Sequence, residues 1–193
     1  MKVEHVKSGN GGMFLTFTLK NTGTALANAI RRISMGQVPV LAIDAITMYE
    51  NNSVFFDEYI ANRIGLIPLK TPDGYAEGED VLFKLSAEGS GTVYSKDLTS
   101  TERGVSCVSK KIPIIELVEG QRLRFEGRAR LGRGREHAKF QACLASYGFD
   151  EKTKEFNFTV ESFGQMTAGE VMLKTGEILQ NKCEEFLAQM GKK

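Results

Sequence analysis

The chain has little of what builds a metal centre or a disulfide scaffold. Its 193 residues hold only three cysteines (Cys107, Cys143, Cys183) and two histidines (His5, His137). No CxxC pair is present, whereas a structural zinc site wants four Cys/His ligands, usually in close pairs. A disulfide framework wants a denser, even count. Three reduced thiols in a cytosolic protein is the plain reading. No apolar run approaches the ~18 residues of a membrane span, and Met1-Lys2-Val3-Glu4-His5 lacks the charged-then-apolar run of a secretory signal. Net charge is +1, which argues against a basic coat over the whole surface but not against a local basic patch. Apolar residues at 41% and charged residues at 25% exclude disorder for most of the chain. No internal repeat or low-complexity segment stands out.

What is present reads as α+β. Met1–Lys7 and Met13–Lys20, separated by Ser8-Gly9-Asn10-Gly11-Gly12, are expected to form a hairpin. Asn21-Thr22-Gly23-Thr24 offers helix caps, followed by Leu26, Ile30 and Ile33 at helical spacing. Gly36 and Pro39 should stop this helix, with Arg31 and Arg32 in its last turn, where cations suit the helix dipole. A second helix is expected at about Asp57–Ile67, capped by Asp57, with a stripe of Phe56, Ile60, Ile64 and Ile67. The middle of the chain is mostly strands. In the clearest, Leu123, Phe125, Ala129 and Leu131 alternate with Arg122, Arg124, Glu126, Arg128 and Arg130, and Gly132–Arg135 reads as the loop that follows. Phe156, Phe158 and Val160 alternate again. The last element is a helix at about Thr167–Gln189, where Thr167 and Glu170 make a capping box. Turn signals near Pro39–Val40 and Gly148–Asp150 make the middle look like an insertion.

Several constellations bear on chemistry. Arg122, Arg124, Arg128, Arg130, Arg133, Arg135 and Lys139 face only Glu126 and Glu136 in one short stretch. Such a run suits phosphates, an acidic protein face, or a solvated strand with cross-strand ion pairs. Aromatic interleaving for nucleic acid is missing. Gly132-Arg133-Gly134-Arg135 fits neither GxGxxG nor GxxxxGK[ST]. Asp57-Glu58 and Glu184-Glu185 are neighbours that do not share a helix face. No GxSxG elbow is present, and a Cys143–His137 pair has no orienting third group.

The two strongest helices carry apolar stripes and little chemistry. In the last one, Met172, Leu179, Cys183, Phe186 and Met190 form a stripe widened by Val171, Thr175 and Ile178. Exposing five large side chains would forgo roughly 8–15 kcal/mol, at ~1.5–3 kcal/mol each. A share that faces outward therefore asks for a permanent partner.

Four segments carry a resemblance. Asn28-Ala29-Ile30-Arg31-Arg32-Ile33 resembles the first helix of the alpha-like subunits of RNA polymerases. The run from Phe56 to Leu69, FDEYIANRIGLIPL, is very similar to a motif of their archaeal and eukaryotic members. Gly132–Gln141 matches a third motif and Phe158–Gly164 a fourth. They span almost the whole chain in order and are most similar to the archaeal D-type subunits.

The resemblance implies an α+β fold with a discontinuous dimerisation domain (1–40 and 150–193, a sheet plus two helices) and an inserted, mainly β domain (41–149). It implies a non-catalytic, cytoplasmic assembly subunit without cofactors that pairs with subunit L, then gathers subunits N and P and the large catalytic subunits, meeting DNA only through the assembled enzyme. On this analogy Leu26, Ile30, Ile33, Met172, Ile178, Leu179, Cys183 and Phe186 would face subunit L. Asn62, Arg63, Arg133, Arg135, His137 and Lys139 would touch other subunits. An iron–sulfur domain, found in some relatives, is not expected without clustered cysteines. A bacterial-type C-terminal DNA-binding domain is not expected either, since the chain ends at Met190-Gly191-Lys192-Lys193, just past the last helix. The other readings are a stand-alone nucleic-acid module using Arg122–Lys139 and a small hydrolase using Cys143 and His137.

Overall fold

The computed structural model describes residues 1–75 and 78–191. The chain opens with β1 (Lys2–Gly9) and β2 (Phe14–Lys20), joined by a 3-10 turn at Asn10–Gly12. Then follow α1 (Thr24–Gly36), β3 (Pro39–Asn51), α2 (Asp57–Gly65), β4 (Val81–Glu88), β5 (Gly91–Tyr94) and β6 (Thr99–Ser100). Next come β7 (Pro113–Leu117), β8 (Arg122–Arg133), β9 (Cys143–Asp150), β10 (Glu155–Ser162) and α3 (Ala168–Met190). The fold is α+β, as expected, with antiparallel pairing in its sheets.

Two compact units divide the chain. A terminal unit comprises Met1–Pro39, Arg133–His137 and Gln141–Lys193, and an insert unit comprises Val40–Gly132 and Ala138–Phe140. The first crossing lies at Pro39–Val40. The second lies well before the Gly148–Asp150 turn, because β9 pairs along its whole length with β10 and so belongs to the terminal sheet. The terminal range expected from the sequence runs to 193, of which residues 192 and 193 lie outside the described residues.

In the terminal unit the sheet order is β1-β2-β10-β9. The register sets Leu15, Phe17 and Leu19 of β2 opposite Val160, Phe158 and Phe156 of β10. Directly opposed residues share a face, so these six make one apolar surface, and Phe17 stacks on Phe158 with ring centroids 4.8 Å apart. Helix α1 buries Ala27, Ile30 and Ile33 in this unit, and α3 buries Ala168 and Val171. The capping box at α3 forms as the sequence suggests: Glu170 N–H donates to Thr167 Oγ1 at 3.2 Å and Thr167 N–H donates to Glu170 Oε2 at 2.7 Å. At α1 the cap is Gly23, with no side-chain bond, rather than Asn or Thr. Arg31 and Arg32 fall before its last turn, because the helix runs on to Gly36.

The insert unit holds the sheet β3-β8-β4-β6 and the ribbon β5-β7. Its core gathers Ile43, Phe83, Leu123 and Phe125 with Ile60, Ile64 and Ile67 from α2 and the residues just past it. Phe56 leaves the expected stripe: it precedes α2 and is 81% exposed. Asp57 is the first helical residue and makes no cap; its Oδ1 accepts from Asn51 Nδ2 at 2.7 Å. Gly132 and Arg133 continue β8 instead of starting the loop. The reason for Gly132 is steric. A Cβ there would stand 2.7 Å from the buried Phe140 ring, over which the Arg130 guanidinium lies at 4.7 Å. Gly132→Ala is therefore expected to destabilise the insert unit by about 1–3 kcal/mol, the range for overpacking, read as a lowered urea midpoint.

Candidate partner interfaces

Helix α3 outruns its support. Val171 and Thr175 are buried, Met172, Ile178 and Leu179 are half-buried, and every residue from Gln180 to Met190 is exposed. Phe186 and Leu187 are 61% and 65% exposed, and Leu173, on the side of α3 away from Val171 and Thr175, is 69% exposed. Beside this helix runs an apolar groove of about 370 Å³ between α1, α3 and the sheet, floored by Leu15, Phe17 and Leu19. Leu26 and Ile30 of α1, Met1, and Val3 and Val6 of β1 stand along it.

The residues expected at a partner face therefore divide. Cys183 and Phe186 are exposed, while Leu26, Met172, Ile178 and Leu179 are half-buried at the groove or helix flank. Ile30 and Ile33 are buried within the chain itself. They serve the unit's own core, with Ala27 of the same helix. Leu173, Leu187, Val3 and Val6 were missed. Leu173 and Leu187 lie off the chosen stripe, and Val3 and Val6 are three apart in a strand, which alternation places on opposite faces.

The loop after β8 is fastened to the end of α1. Arg135 N–H donates to Gly36 O at 3.0 Å, and a Cβ at Gly134 would collide with the carbonyl oxygen of Met35. Within the loop, Arg133 N–H donates to Glu136 Oε1 at 3.1 Å. Only glycine permits this approach of backbone to backbone. Arg135 thus stands with Arg32 and Lys182 around an open cleft of about 760 Å³ in the terminal unit. His137 is exposed on the same loop.

The arginines of β8 are largely matched by acids of the insert unit. Arg122 pairs with Glu88 at 2.7 Å and Glu50 at 3.7 Å, Arg128 with Asp80 at 3.7 Å, and Arg130 with Asp44 at 2.8 Å. Arg124 lies over the Tyr49 ring at 5.6 Å. Partly exposed pairs of this kind stabilise little, but they balance the charge that a phosphate backbone would need. Lys139 is also spent internally. It pairs with Asp44 at 2.7 Å and donates to Ile43 O at 3.2 Å, with its side chain only 14% exposed. Arg63, expected to meet another subunit, donates within the chain to Ile114 O at 3.0 Å and Pro113 O at 2.7 Å, tying α2 to β7. Asn62 remains exposed. An aromatic cluster that periodicity did not reveal sits at the start of α2, where Phe55 stacks on Tyr59 at 4.8 Å beside the exposed Val54 and Phe56.

Cys143 is no nucleophile. It is buried, its thiol donates to Ser34 O at 3.4 Å, and burial pushes its pKa up to about 11, so at neutral pH it is protonated and inert. Among the described residues, no group of three or more His, Cys, Asp or Glu is placed to hold a metal ion.

Residues 46–149 match the family model described as the RNA polymerase Rpb3/RpoA insert domain. The chain is 44% identical to DNA-directed RNA polymerase subunit Rpo3 of Methanocaldococcus jannaschii over 90% of its own length and 88% of that relative. It is 48% identical to the subunit of that name in Halobacterium salinarum, over 67% of this chain. In Pyrococcus horikoshii the figure is 45% over 70%. The chain spans about half the length of these last two relatives, 52% and 55%.

Asp44 offers a test of the charge matching. Lys139 first, and then Arg130, hold its carboxyl below the usual carboxylate range. A carboxyl depressed on folding contributes stability above its unfolded pKa and loses it as pH falls through the folded value. Asp44→Asn should thus lower stability at pH 7 and flatten the loss seen below about pH 4, measured by urea unfolding across pH.

Proposed function

Because the chain belongs to the Rpb3/RpoA family, in its archaeal Rpo3 group, we propose that it pairs with the small subunit L through its terminal unit and that the pair seeds polymerase assembly. The chain is a non-catalytic subunit of a DNA-dependent RNA polymerase; its role is to hold other subunits. One observation carries the pairing: an apolar groove continuous with an α3 whose outer half has no support in its own unit. A permanent interface of ~2,000–5,000 Å² resembles a domain core cut in half, and this surface has that composition. Leu26, Met172, Leu173, Leu179, Phe186 and Leu187 form the pairing face, with Ile30 and Ile33 backing it. Cys183 lies at its exposed end.

Subunits N and P and the large catalytic subunits follow. Arg133, Arg135 and His137, presented by the loop locked at Gly134, serve a docking surface for a large subunit, where charge sets register and on-rate. Asn62 and the aromatic cluster beside α2 offer a second surface. No helix is long and apolar enough to cross a membrane among the described residues, and the chain works with the polymerase in the cytoplasm.

Two mutational tests separate these roles. Phe186→Asp and Leu187→Asp alter exposed positions, so the free chain should fold normally. Each should abolish the 1:1 complex with an L-type subunit in light scattering behind size exclusion, because a buried unpaired carboxylate costs several kcal/mol. Intact complexes from both would remove the interface. Replacing Arg133 and Arg135 together with Ala should leave that complex whole but weaken capture of the second-largest subunit by about tenfold or more. Loss of the small complex instead would show that the loop is misassigned.

A further inference from the structure

The connection from β1 to β2 runs through left-handed backbone. Asn10 sits at a φ of 49°, Gly11 at φ 62° and ψ 28°, and Gly12 at φ 91°. Such turns select asparagine and glycine, glycine because it has no Cβ and asparagine because its short amide tolerates the conformation. The turn thereby sets side by side a pair with chemistry of its own. Glycine leaves the backbone nitrogen after an asparagine unshielded, so that nitrogen reaches the side-chain carbonyl carbon with the least hindrance. Asn10 and Gly11 are both exposed.

Asn10 is the one asparagine of the chain followed by glycine; the others precede Thr22, Ala29, Asn52, Ser53, Arg63, Phe158 and Lys182. Several of the others are also held in place. Asn28 Oδ1 accepts from Arg31, Asn157 Oδ1 accepts from Thr18, and the amides of Asn51 and Asn52 donate to Asp57 and to Gly120 O. Among the described residues no hydrogen bond holds the Asn10 side chain, and only its backbone carbonyl is engaged, by Met13 N–H at 3.2 Å. The turn is also packed against the foot of α3. Met13 O accepts from Ser162 N–H at 2.8 Å, and a Cβ on Gly12 would stand 3.1 Å from Cγ2 of Thr167, the residue that caps α3.

We infer that Asn10-Gly11 is a self-modifying site, which deamidates and isomerises without an enzyme and in doing so loosens the cap of α3. The Gly11 backbone nitrogen attacks Asn10 Cγ, its proton passing through solvent to the departing amide. The Cγ–Nδ2 bond breaks, ammonia leaves, and a cyclic succinimide closes. Water then adds to one of its two carbonyl carbons and opens it, to aspartate or to β-linked isoaspartate. In all, one water is consumed and one ammonia released, and nothing is oxidised or reduced. The β-linked product carries the main chain through an extra carbon and leaves a carboxylate where the amide was. In a short turn packed this closely at Gly12, the extra carbon displaces backbone against Thr167. The chain thus holds a slow, one-way timer at the foot of its longest helix. The site stands apart from the pairing proposed above and does not depend on it.

The test ages the full, folded chain in neutral buffer over days and digests it with trypsin. The peptide Ser8–Lys20 should gain the mass of an amide turned to an acid and should accept a methyl group from isoaspartyl methyltransferase. Peptides holding the other asparagines should do neither. Asn10→Gly leaves no amide to react and accepts the left-handed turn, so it should abolish both signals. In the aged chain the amides of Glu170 and Val171, both bonded to Thr167, should exchange hydrogen faster than in the fresh chain. Aged Asn10→Gly should show no such change. Modification in the urea-unfolded chain but not in the folded one would show that the turn protects Asn10 and would overturn the inference. So would modification spread evenly over the other asparagines. Modification of Asn10 with exchange at Glu170 and Val171 unchanged would reduce it to an inert surface lesion, and the timer falls.

Discussion

A mismatch of lengths governs the terminal unit. Helix α3 has 23 residues, which at 1.5 Å per residue is about 34 Å. The strands beneath it have seven or eight residues, about 25 Å of support. A helix can bury its apolar side only where something lies under it. Burial on α3 accordingly ends at Thr175, whose hydroxyl is satisfied by Val171 O at 2.7 Å. Ile178 and Leu179 beyond it are half-buried, and from Gln180 to Met190 every residue is exposed. Between the two helices an apolar groove stays open above the sheet, floored by Leu15, Phe17 and Leu19.

Local signals were legible because their causes are local. The capping box, the alternation of β8 and β10, and the stop at Gly36 each need only neighbours within a few residues. The features that differed depend on distant segments. Whether Ile30 faces the core or a partner is decided by where the sheet lies, not by helical spacing, which is the same in both cases. Arg63 reads as an exposed cation on α2 until β7, some fifty residues on, supplies two carbonyl oxygens for it. Val6 is the sharpest case. Alternation from Val3 would send it to the far face, but an extra residue in β1 between Glu4 and Lys7 returns it to the groove, and such a bulge is a property of two strands.

The arginine-rich stretch teaches the same point through charge. Counted along the chain, Arg122 to Lys139 is strongly basic. Counted in space, each partner comes from elsewhere: Glu88, Glu50, Asp80 and Asp44. Asp44 alone meets both Arg130 and Lys139. What was read as one basic patch becomes a balanced strand face in the insert unit and a short loop in the terminal unit. That loop keeps its place through backbone contact, with Gly134 against Met35 O.

The exposed apolar surface also decides how the chain must exist. Leu173, Phe186, Leu187 and Met190 lie mostly in solvent on one helix. At ~1.5–3 kcal/mol per large side chain, covering them would return roughly 6–12 kcal/mol. That is as large as the ~5–15 kcal/mol by which a whole domain is stable. A surface of that weight is not neutral to the free chain: it favours any apolar cover, wrong or right. Specificity must then come from the shape of the groove between α1, α3 and the sheet, which a matched apolar cover fills and a loose one does not.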